Sequence, residues 1–75
     1  MATPAIHTVP AGDDGWAVTR EGPGQPISTH ATKGDAESAG RELARAERAE
    51  HIIHNADGTI GERNSYGNDP ASRPG

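Results

Sequence analysis

The chain has 75 residues, 31% of them hydrophobic, with no Cys, no Phe and a formal net charge of −4. That length allows one domain, and the missing Cys excludes disulfides and zinc–thiolate staples. The negative balance argues against a nucleic-acid binder held by phosphate neutralisation, and no apolar run approaches the roughly twenty residues that span a bilayer.

Residues 1–4 show no period and read as a flexible N-terminus, without the basic region and apolar stretch of a signal peptide. The expectation is a cytoplasmic protein. Ile6-His7-Thr8-Val9 is β-branched and closed by Pro10, which suits a strand end. Ala11 to Gly15 is turn chemistry, with Asp13, Asp14 and a Gly free to take positive φ. Trp16 to Arg20 alternates, so Trp16, Val18 and the stem of Arg20 share one face of a returning strand. Glu21 to Pro26 holds two Gly and two Pro and reads as a loop. Ile27 to Ala31 reads as a polar third strand, suited to a sheet edge that must avoid stray pairing.

Thr32 is a good helix N-cap, and Asp35 places a carboxylate at the positive helix end. Ala36, Ala39, Leu43 and Ala46 recur on one face of a helix running to about Glu47. That face is small, and Gly40 beside it lets the helix backbone come close to the sheet. His51 to His54 reads as the next strand. Asn55 to Gly58 is a turn, and Thr59 to Asn64 returns with Ile60 pointing inward. Asp57-Gly58 is the strongest hairpin signal in the chain.

These elements predict an α+β domain over residues 5–66, followed by a Gly/Pro-rich tail at 67–75. Its architecture is an antiparallel sheet of four to five strands with one helix on one face, in the order ββαββ or βββαββ.

Little in this pattern points to catalysis. No Ser sits in a nucleophile motif, and Asp13-Asp14 lies in a turn, where paired carboxylates serve geometry and solvation. His51 and His54, three apart, fall on opposite faces of a strand, and His7 and His30 lie on other elements. The expectation is no enzyme, no cofactor and no metal. Gly22-Pro23-Gly24 opens no helix and so aims no N–H groups at a phosphate. Trp16 reads as core. The candidate partner surface is the helix face bearing Arg41, Arg45 and Arg48, spaced i, i+4 and i+7 opposite the apolar face. Glu37 and Glu42 lie near enough to make it a solvated face of ion pairs instead. Tyr66 either closes the end of the core or crosses to a partner.

Several pieces of the chain, in order, resemble a bacterial family known only as domain of unknown function 2188. They are His7-Thr8-Val9-Pro10, Gly15-Trp16-Ala17-Val18, Thr32-Lys33-Gly34-Asp35-Ala36, Gly40-Arg41-Glu42-Leu43-Ala44, His54-Asn55-Ala56-Asp57-Gly58-Thr59-Ile60 and Ser65-Tyr66-Gly67-Asn68-Asp69-Pro70. The resemblance covers nearly the whole chain. It departs at Thr8, where the family favours an aliphatic residue. It implies a small bacterial α+β domain and no particular activity.

A core drawn from about sixty residues contributes only about 3–5 kcal/mol, and with no Cys the common remaining support is oligomerisation. The functional expectation is therefore a non-catalytic module that self-associates as a homodimer. The alternative is an accessory protein that meets nucleic acid or another anionic partner through Arg41, Arg45 and Arg48.

Overall fold

The computed structural model describes residues 3–22 and 24–66. Strand β1 (Ile6–Pro10) leads through a short 3-10 turn (Gly12–Asp14) into β2 (Trp16–Arg20), and β3 (Ser28–His30) follows. Helix α1 (Lys33–Glu47) then crosses to β4 (Glu50–His54), which turns back into β5 (Ile60–Ser65). The domain is α+β, with one five-stranded sheet in the order β3-β2-β1-β4-β5. The tail at 67–75 lies outside the described residues, as do Met1 and Ala2 of the N-terminal segment.

The sheet is mixed rather than purely antiparallel. Pairing is antiparallel within β1–β2–β3 and within β4–β5, but β1 and β4 run parallel, with Ile6 opposite His51 and Thr8 opposite Ile53. The cause is the helix. Hairpins join antiparallel strands, whereas a strand reached by a crossover enters parallel to its neighbour. The expected polar edge strand is present, trimmed to Ser28–His30, and Ile27 stands outside it and exposed.

Thr32 caps the helix as its sequence implies, its Oγ1 accepting from the Asp35 N–H at 3.1 Å. The buried stripe differs from the expected one. Ala36, Gly40 and Ala44 are buried, Ala39 and Leu43 are half-buried, and Ala46 is exposed. The seam therefore runs at a spacing of four, along the smallest side chains. Gly40 shows why: a Cβ there would stand 2.6 Å from His51 Nε2 and 2.8 Å from Thr8 Oγ1. The helix backbone is seated directly on two strand side chains.

Ile6, Val18, Ala36, Ala44 and Ala49 make the core, with Trp16, Leu43 and Tyr66 packed at its margin. Arg20, which shares the helix-facing side of β2, reaches Glu47 at the end of α1, its Nε donating to Oε1 at 3.3 Å. That pairing favours the charged guanidinium and raises its pKa further.

Ile60 does not point inward; it is 51% exposed. The register slips at Ile53/His54, so that Ile53 opposes Glu62 while His54 opposes Ile60. Gly61 is the extra residue of a β-bulge, and a bulge turns the residues beyond it to the other face. The turn before it is held by Asp57, whose Oδ1 accepts from the Thr59 N–H at 3.0 Å and from the Thr59 hydroxyl at 2.6 Å. Those two donors lower the Asp57 pKa.

Candidate functional site

Of the residues singled out for a partner, Arg41 and Arg45 lie exposed on α1, one turn apart. Arg48, also exposed, follows at the end of the helix. It is the helix C-cap in left-handed backbone geometry (φ 56°), and its N–H donates to the carbonyls of Ala44 and Arg45. Tyr66 is half-buried against the core of its own chain, and its N–H donates to the Ala49 carbonyl at 3.3 Å. The fold thus leaves Tyr66 at the margin of the core, while the arginines sit on the helix and its cap.

What the fold does gather is histidine. His51 faces the helix and is fully buried. Its Nε2 shares a 2.7 Å hydrogen bond with the buried hydroxyl of Thr8, and its Nδ1 has no partner. Thr8 thus supplies a hydroxyl partner to a buried imidazole. Burial lowers the His51 pKa first, and the positive charge of Arg41 lowers it further.

On the opposite, uncovered face of the sheet, His7 of β1 and His54 of β4 meet head to head. His7 Nδ1 stands 2.9 Å from His54 Nε2, with ring centroids 5.2 Å apart. The outer nitrogens are also engaged. His7 Nε2 lies 2.9 Å from Glu21 Oε1, just past the end of β2, and His54 Nδ1 lies 3.1 Å from the Gly58 carbonyl oxygen in the β4–β5 turn. The His7 side chain is 19% exposed and that of Glu21 61%, so the row is reachable from solvent. The sequence offered the two imidazoles, but nothing in it paired them, and Glu21 carried no signal at all.

His30 sits elsewhere, on edge strand β3, bonded to Ser28 Oγ at 2.9 Å. It borders a shallow depression of about 380 Å3 with Asp13, Asp14 and Thr29. Trp16 lies near this end of the sheet, half-buried, with Lys33 Nζ 5.4 Å above its ring. Among the described residues no three or more His, Cys, Asp or Glu side chains come together in a way that could hold a metal, and no helix is long and apolar enough to cross a membrane.

A family model described as an uncharacterized protein conserved in bacteria, DUF2188, matches residues 6–66. The chain belongs to this family. The match begins at the first residue of β1 and ends at Tyr66, so the DUF2188 unit is the whole sheet with its helix. Neither curated proteins nor solved structures gave a match.

Proposed function

We propose that this DUF2188 domain is a non-catalytic interaction module that self-associates as a homodimer, and that β5 forms the contact. The observation that carries this is the edge itself. β5 is six residues long, its outer flank has no partner strand among the described residues, and it opens with Ile60, half exposed by the bulge. An unpaired edge of that length is a ready template for a second strand. The other edge, β3, has three polar residues and is a poorer one. A helix face built from Ala and Gly, with no disulfide behind it, gives the fold reason to bury more apolar surface. Tyr66 directly follows the edge and would adjoin the contact. A cytoplasmic location belongs to the same proposal and rests on composition.

Light scattering coupled to size exclusion tests it. The full chain should weigh twice the 7.8 kDa of one copy, and Ile60→Lys, which changes an already exposed side chain, should return it to one. A wild-type chain that stays at one copy up to high concentration overturns the proposal.

A second reading assigns the helix surface to an anionic partner. Its support is that Arg41 and Arg45 are exposed and make no ion pair among the described residues. Arg48 is exposed at the end of the same helix, and the net charge of −4 weighs against a polyanion as that partner.

A further inference from the structure

We propose that His7 and His54 form a two-imidazole binding site for a borderline divalent transition-metal cation such as zinc, copper or nickel, on the uncovered face of the sheet. The argument is a count of protons. The row Glu21–His7–His54–Gly58 ends at both sides in pure acceptors, a carboxylate and a backbone carbonyl. Each outer nitrogen must therefore carry its N–H, His7 on Nε2 and His54 on Nδ1. A neutral imidazole has only one N–H. The two inner nitrogens, His7 Nδ1 and His54 Nε2, are then both bare, and their lone pairs face each other across 2.9 Å. Neutral rings cannot satisfy that contact. It requires an electrophile between them, either a shared proton or a metal ion.

The surroundings are those of a metal site. Imidazoles that ligate a metal almost always donate their other N–H to a carboxylate or a backbone carbonyl, which fixes the tautomer and raises ligand basicity. Here one ring has each kind of acceptor. Two imidazoles on a tetrahedral zinc at about 2.0–2.1 Å stand roughly 3.3 Å apart, N to N, so a small pivot of two partly exposed rings opens the pair far enough. Water would fill the remaining positions. Two imidazoles suit zinc, copper and nickel, and copper would bind most tightly. The other charges on this face, Glu50 and Arg63, are 3.8 Å apart and offset each other, which leaves Glu21 as the carboxylate at the pair. His51 lies on the helix side of the sheet, sealed from solvent.

The test is zinc titration of the full chain just above neutral pH, followed by calorimetry and by the side-chain 15N resonances of its histidines. The expected result is saturation at one zinc per chain, with shifts at His7 and His54 and none at His51. His7→Gln and His54→Gln should each weaken binding at least tenfold. Glu21→Gln, which removes only the outer carboxylate, should weaken it about tenfold, while His30→Gln leaves it unchanged. The resonances identify the ligands in the wild-type chain, so the test does not depend on any variant folding. The proposal is overturned if millimolar zinc leaves the His7 and His54 resonances in place, meaning that the pair holds a proton only. Zinc binding that persists in both His7→Gln and His54→Gln also overturns it.

Discussion

Gly40 occupies the tightest point of the structure, because His51 and Thr8 press against the helix backbone where any other residue would place a Cβ. Gly40→Ala improves helix propensity by about 1 kcal/mol. Overpacking a close contact costs about 1–3 kcal/mol, and here the atoms displaced belong to a buried hydrogen bond. The substitution should lower the urea midpoint, and the loss should shrink in a His51→Ala background, where only the Thr8 hydroxyl still opposes the added methyl. His51 also makes stability depend on pH. Its folded pKa lies below the ordinary histidine value, first through burial and then through Arg41 and His7, with Glu62 opposing. In the window between that lowered value and about 6.5 the unfolded chain holds a proton that the folded chain lacks. Stability is therefore complete above about pH 6.5 and declines as pH falls through the window. Denaturation measured at stepped pH should show this loss in the wild type and a flatter profile in His51→Gln.

At the scale of elements, the helix ends are the clearest case of sequence setting geometry. Thr32 and Asp35 mark the start, and the chain obeys them. The stop is less well marked, because an Arg stands where Gly is the usual residue. Left-handed backbone costs an L-residue about 1 kcal/mol or a little more. Arg48→Gly should therefore stabilise the fold by about 1 kcal/mol, read as a higher melting temperature, provided that the guanidinium has no other task. The strands show where periodicity misleads. Ile60 has the spacing of an inward residue, and only the bulge at Gly61 turns it outward. At the bulge the exposed Asn55 side chain lies against Gly61, its Oδ1 2.4 Å from where a Cβ would stand.

At the scale of the molecule, what could be read from the sequence was local. Both hairpins announced themselves through their turns, Ala11 to Gly15 and Asp57-Gly58, and the helix through its cap. The parallel join of β1 to β4 had no such signal, because it depends on strands at opposite ends of the domain finding each other across the helix. The same holds for the histidine row, where residues 14 and 47 positions apart come together. On α1 the spacing placed Ala36, Ala39 and Leu43 correctly in or against the core and failed only at Ala46, which is exposed. The most closely seated line, Ala36, Gly40 and Ala44, is set by how near Gly40 lets the sheet approach. Distance in sequence, and the space left by an absent side chain, are invisible to periodicity.

The first strand of the domain is the central strand of the sheet. A ribosome delivers β1 and β2 early, yet β1 keeps one flank bare until the chain has been made as far as His54. Throughout that interval Ile6 and Thr8 await both the helix that covers them and the strand that pairs with them. The last strands to be synthesised therefore close the middle of the sheet as well as its far edge, and a chain halted before β4 would be left with its central strand open to any passing neighbour.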